Sequence, residues 1–244
     1  MPRFQRFALL CLLLYFSITS LPIMAKKSAL PADTSVSSIL PAGKSGTALL
    51  DELVRHVDTL GAYKYDASLE AHKGRKVVRA SGTFYFKPPS AVRMEVKDYG
   101  SKSGCILVRS HDGKIRGKGG PQMLGIKMTL TPDSRLLQMP NGLSVTDSDL
   151  ASLFMRLKKQ AASGCKIVSA AQPIRVESIG TPVIVLESQV AGDSGTAILD
   201  RVYIDPSRKL PLQWDLFEKG NFLSRSRFQN YQVNARWDDS KFTL

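Results

Sequence analysis

Between Lys76 and Gly117 apolar and polar side chains trade places at almost every step. Val78, Ala80, Phe84 and Phe86 alternate with Arg79, Ser81, Thr83 and Tyr85, the period of two that a strand with unlike faces requires. Lys87-Pro88-Pro89-Ser90 stops that strand, because proline cannot donate to a ladder. Val92, Met94 and Val96 then alternate with Arg93, Glu95 and Lys97, and Gly100–Gly104 turns the chain again. Ile106 and Val108 carry a further strand into His111-Asp112-Gly113-Lys114, and Asp-Gly between strands is a strong hairpin signal. The pattern predicts an antiparallel meander with one apolar face that must be covered.

On either side the period changes. Leu49, Leu50, Leu53, Val54, Val57 and Leu60 recur at helical spacing and Gly61 marks the stop, which predicts an amphipathic helix from near Thr47. Tyr63, Tyr65, Ala67 and Leu69 alternate next, and Lys73-Gly74-Arg75 turns into the meander. Past Gly117, Met123, Leu124, Ile126, Met128 and Leu130 predict an apolar strand ended by Thr131-Pro132-Asp133. Methionines of this kind fill cores or line surfaces that accept variable apolar ligands. Thr146 and Asp149 form a capping-box-like start to a second helix with a stripe of Leu150, Leu153, Phe154 and Leu157, closed by Ser163-Gly164. Strands resume at Ile174 and Val176, then Val183–Leu186, Ile198–Ile204, Leu210–Leu216 with Trp214, and Phe222–Val233. Strands this regularly spaced predict one large sheet curled on itself. The expected fold class is mainly β (α+β): an unclosed antiparallel barrel, or strongly curved sheet, with a helical lid on its concave side.

Composition adds a location. Arg3 and Arg6 precede an apolar run from Phe7 to Ile18, and Ala25 is a small residue at a plausible cleavage point. This reads as a secretory signal over residues 1–25, with an uncleaved anchor as the alternative. Residues 26–46, rich in Ser, Ala, Pro, Gly and Lys, read as a flexible leader, and 47–244 as a single folded domain. The formal net charge is +13 over 244 residues, which suits an anionic membrane surface, nucleic acid or an acidic partner. Export, and aromatics confined to alternating strands, argue against nucleic acid.

Candidate chemistry is sparse. Behind the expected signal only Cys105 and Cys165 remain, each after a Ser-Gly pair. In an oxidising compartment they read as one structural disulfide, worth about 4 kcal/mol, or as two separate buried thiols. His56, His72 and His111 are the only histidines. Asp112 beside His111 is better explained by its hairpin turn than by acid–base work. The sequence carries no phosphate loop, nucleophile elbow or metal-ligand spacing, so the reading is of a non-enzyme without a cofactor.

Several stretches together resemble one family. Gly82–Pro88, Asp112-Gly113-Lys114, Tyr203-Ile204-Asp205-Pro206, Leu210-Pro211, Gly220-Asn221 and the closing Asp239–Leu244 are similar, in order and spacing, to the periplasmic LolA-like lipoprotein carriers, and more to a divergent branch than to the carrier proper. The resemblance implies a periplasmic protein whose half-barrel holds acyl chains of a lipid or lipidated protein, received from or delivered to a partner in the inner or outer membrane. The same fold also serves envelope-stress sensors or scaffolds that recognise lipid or misfolded protein. Lys87 falls where the carriers have a lid-locking arginine, and lysine lacks the planar fork that such a lock uses. Candidate cavity or lid residues are Thr83, Phe84, Tyr85, Phe86, Lys87, Met94, Val108, Met128, Leu150, Leu153, Phe154 and Trp214. Lys87, Tyr85 and Thr83 point opposite to Phe84 and Phe86 in a regular strand, so both sets line one cavity only if a bulge intervenes.

Overall fold

A computed structural model describes residues 40, 44–192, 195–218 and 220–244. The expected signal segment and most of the leader lie outside the described residues. The chain runs β1 (Lys44–Ser45), α1 (Thr47–Asp58), β2 (Ala62–Lys73), β3 (Lys76–Lys87), β4 (Ala91–Asp98), β5 (Ile106–Arg109), β6 (Ile115–Lys118), β7 (Lys127–Leu130), α2 (Leu150–Ala162), β8 (Lys166–Ser169), β9 (Ile174–Arg175), β10 (Pro182–Gly192), β11 (Gly195–Ile204), β12 (Pro211–Glu218) and β13 (Asn221–Ala235). Lys44 and Ser45, inside the stretch expected to be leader, pair with Ser169 and Val168 of β8.

All of these strands join one antiparallel sheet in the order β1-β8-β10-β11-β12-β13-β2-β3-β4-β5-β6-β7, with β9 beside β10. Its ends, β1 and β7, do not pair, so the barrel stays open. The inner face and the two helices share one core, in which Leu50, Leu53, Leu150, Phe154, Leu186 and Val202 are fully enclosed. Helix α2 is held by more than packing. Buried Asp200 of β11 accepts from Trp214 Nε1 at 2.8 Å, Gln160 at 2.5 Å and Arg156 at 3.2 Å. A buried carboxylate needs such partners, since leaving it unpaired costs several kcal/mol.

Two elements differ from the sequence expectation. The Met123–Leu130 strand is shorter than expected: Pro121–Met123 form a turn, β7 starts at Lys127, and Leu124 and Ile126 stand exposed. The second helix starts from Asp149 rather than a Thr146 box. The Asp149 carboxylate accepts from Ser152 N at 2.9 Å and the Ser152 hydroxyl at 2.6 Å, satisfying donors a helix N-terminus leaves free.

The outer face carries an alternating ladder of charge. Glu187, Arg201, Asp215, Arg225, Glu70 and Arg79 stand opposite one another across β10, β11, β12, β13, β2 and β3. Arg201 Nε donates to Glu187 at 2.7 Å, Arg225 grips Asp215 through two bonds of 2.8 Å, and Arg79 reaches Glu70 at 3.0 Å. Opposite charges directly across a ladder favour one register, and a slip by one residue would turn every one of them to the other face.

Candidate functional site

The same registry builds a hollow on the inner face. Tyr65, Phe84, Met94, Leu107, Gly117 and Met128 are consecutive partners from β2 to β7, and all six line one cavity of about 120 Å³. That is room for about four groups the size of a water or methylene, each taking roughly 30 Å³. Trp214, Leu216 and Phe228 of β12 and β13 form another wall. The row stays open because small residues punctuate it: Ala67 and Ala80 line the cavity, and a Cβ on Gly117 would come within 3.4 Å of both Leu130 and Leu107. Met94, Met123, Met128 and Met139 all face the space, and unbranched thioethers conform to ligands of variable shape.

The cover is the irregular segment between β7 and α2. Leu136, Met139, Leu143 and Val145, with Leu153 of α2, close the hollow from above. Two tyrosines of β2 hold this cover down. Tyr65 Oη donates to the Ser148 carbonyl at 2.5 Å, and Tyr63 Oη accepts from Leu150 N at 2.8 Å. Burial pushes both phenols well above their ordinary range, so each keeps its proton. Sequence reasoning passed over these hydroxyls, because alternation marks Tyr63 and Tyr65 only as inward-facing.

Of the sequence candidates, Phe84, Met94, Met128, Leu153 and Trp214 line the cavity. Phe86, Leu150 and Phe154 pack in the core beside it, Phe86 stacked on Tyr63 at 5.0 Å. Four are corrected. Thr83, Tyr85, Lys87 and Val108 are on the outer face, because β3 keeps its alternation and no bulge turns Lys87 inward. Thr83 donates to Asp66 at 2.5 Å. Tyr85 and Val108 pack under the C-terminal segment with Phe242, Tyr85 meeting Trp237 edge-on at 5.5 Å. Lys87 Nζ donates to the Trp237 carbonyl at 3.0 Å and to Asp239 at 2.5 Å; it fastens the chain's end, not a lid.

The expected disulfide is corrected too: Cys105 and Cys165 are free thiols. Cys165 follows α2 and precedes β8, whereas Cys105 precedes β5, and seven strands lie between β8 and β5 along the sheet path. The Cys105 sulfur is engaged locally, accepting from Gly120 N at 3.3 Å and lying 3.7 Å from Met123 Sδ. Among the described residues no group of three or more His, Cys, Asp or Glu is placed to hold a metal.

No protein-family model and no curated protein matches the chain. Among solved structures it is similar to MucB, at 16% identity and a TM-score of 0.48 over 83% of this chain and 64% of that one. An uncharacterized conserved protein from Thermus thermophilus is similar at 10% identity and a TM-score of 0.46, over 82% of this chain and 94% of that one. A LolA superfamily protein from Nitrosomonas europaea is similar at 9% identity and a TM-score of 0.42, over 82% and 98% respectively. The likeness concerns the fold alone.

Proposed function

We propose that this protein is a periplasmic carrier that holds a hydrocarbon chain, from a lipid or a lipidated protein, in the hollow beneath the 131–149 segment. The observation that supports the reading is the unbroken apolar row from Tyr65 to Met128, with methionines around it and an irregular segment above, tied down by the Tyr65 hydroxyl. About four methylenes fill the closed hollow, a gross gain of roughly 3 kcal/mol at about 0.8 kcal/mol each, so micromolar uptake requires the cover to lift and lengthen the apolar groove. The reading requires no bond to be made or broken, and so no catalytic group.

The test is titration of the purified protein with a fluorescent fatty acid. Wild type takes up the probe at micromolar concentration. Ala80→Phe sets a ring into the hollow from β3 and weakens uptake at least tenfold while the melting temperature stays within a few degrees. Absence of uptake by wild type at that concentration overturns the proposal. A stable protein partner isolated from the envelope with no lipid in the complex would favour the sensor reading in its place.

A further inference from the structure

At one end of the hollow the β6–β7 hairpin projects a tip unlike the rest of the surface. Leu124 is 87% exposed and Ile126 56%, side chains that ordinarily leave water. Leu136, on the cavity wall, is 39% exposed. Leu124 also adopts φ +52°, a left-handed conformation uncommon for a residue other than glycine. The tip is built, not frayed. Met123 N donates to Gly120 O at 2.9 Å, Leu124 N to Pro121 O at 3.1 Å and Gly119 N to Ile126 O at 2.8 Å.

The tip is also braced. Gly120 sits so close to the neighbouring 100–104 turn that an added Cβ would fall 2.0 Å from Ser103 O. Cys105 fastens the same junction through Gly120 N and Met123 Sδ. Two hairpin tips are thus joined into one rigid edge that presents Leu124 outward.

The charge on the hairpin tip is positive. Lys118 and Lys127 flank it and no acidic residue occurs from Lys114 to Pro132; Lys114 and Arg116, farther back, pair with Asp112, and Asp98 is the acid that precedes the adjoining turn. Lys118 and Lys127 stand directly opposite in the ladder, an arrangement that costs stability unless anions screen it. Among the described residues neither is ion-paired. Lys102, on the adjoining turn, lies 5.0 Å over the Tyr99 ring. Tyr99, Lys102, Lys118 and Met123 all border the cavity.

We propose that this edge docks on an anionic lipid bilayer, with Leu124 and Ile126 entering the headgroup region and Lys102, Lys118 and Lys127 against lipid phosphates, so that the mouth of the hollow opens at the membrane surface. An exposed aliphatic pair ringed by cations matches the layered polarity of a bilayer surface. A water-soluble polyanion offers the negative charge without the hydrocarbon.

Co-sedimentation with vesicles tests the docking. Wild type binds vesicles of phosphatidylglycerol mixed with phosphatidylethanolamine, and binds pure phosphatidylcholine far less. Leu124→Ser with Ile126→Ser lowers binding to the anionic vesicles roughly thirtyfold, from loss of aliphatic burial. Lys127→Glu lowers it more than about fivefold, in a salt-sensitive manner. Neither variant alters affinity for a fatty-acid probe added in solution, so failure of the cavity reading and failure of docking are separable. Transfer of the probe from anionic vesicles, the one readout that rests on the carrier reading, slows with vesicle binding. Equal binding by wild type and the Leu124→Ser, Ile126→Ser variant overturns the proposal. So does a concentration-dependent dimer that those substitutions dissolve while vesicle binding is unchanged, which would make the tip a contact between copies.

Discussion

The link between Tyr65 and the cover can be cut without touching the core. Tyr65→Phe keeps the ring that stacks on Phe84 at 5.0 Å and meets Phe228 edge-on at 5.3 Å. Only the hydroxyl is lost, and with it the 2.5 Å bond to the Ser148 carbonyl. Ser148 is buried, and a buried acceptor stripped of its donor costs about 1–3 kcal/mol. When the 131–149 segment lifts, that carbonyl meets water and the penalty disappears. A cost of about 1.4 kcal/mol therefore appears as a tenfold larger opening constant. Stopped-flow uptake of a fluorescent fatty acid should accelerate about tenfold, and amide exchange should rise across 136–149 while β11 and β12 keep their protection. Val185→Ala is the control: it removes packing from the outer-face cluster and lowers global stability without touching the cover. If Tyr65→Phe lowers the melting temperature as Val185→Ala does, yet leaves uptake and exchange unchanged, the segment is not the part that moves.

Two further outcomes concern the charged outer face. Asp215→Leu leaves Arg225 and Arg201 without the carboxylate between them and should cost about 3–5 kcal/mol, a fall in melting temperature of roughly 10 °C for a domain of this size; Asp215→Leu with Arg225→Met should recover at least half, and no recovery in calorimetry would show that the pair is not coupled. Asp66 titrates near 2: burial raises it, but bonds from Lys97, Thr83 and Asn230 more than offset this. A folded-state value below the unfolded one stabilises above about pH 4 and is lost as pH falls towards 2. Discounted for partial exposure, the contribution is about 1 kcal/mol. Asp66→Asn should therefore lower the urea midpoint at pH 7 and lower it only by a small fraction of that shift at pH 2, where about half of the folded molecules still carry the charge; a shift at pH 2 as large as the one at pH 7 refutes the assignment.

Much of this architecture was written in local signals. Alternation located the long strands, Lys73-Gly74-Arg75 and Asp112-Gly113 located their turns, and the apolar stripes located both helices. Each rests on neighbours a few residues away, which is why it survives without a partner strand. The hairpin tip was less legible: Leu124 and Ile126 look like strand interior by hydrophobicity, and only the docking of Gly120 against Ser103 shows that the chain turns there and leaves them in water.

The sequence by itself determined that β3 has two unlike faces and that a covered antiparallel sheet must follow. It did not determine which face is the hollow, because here both faces are buried. Val108 lies under the C-terminal segment as thoroughly as Phe84 lies under the cover, Tyr85 is buried beside it, and Lys87 fastens that segment. The cavity floor depends on the pairing of six strands at one register, and the cover on hydroxyl bonds spanning more than 80 residues of chain. Side-chain period is a property of the nearest neighbours, whereas enclosure is a property of whatever the rest of the chain lays on top.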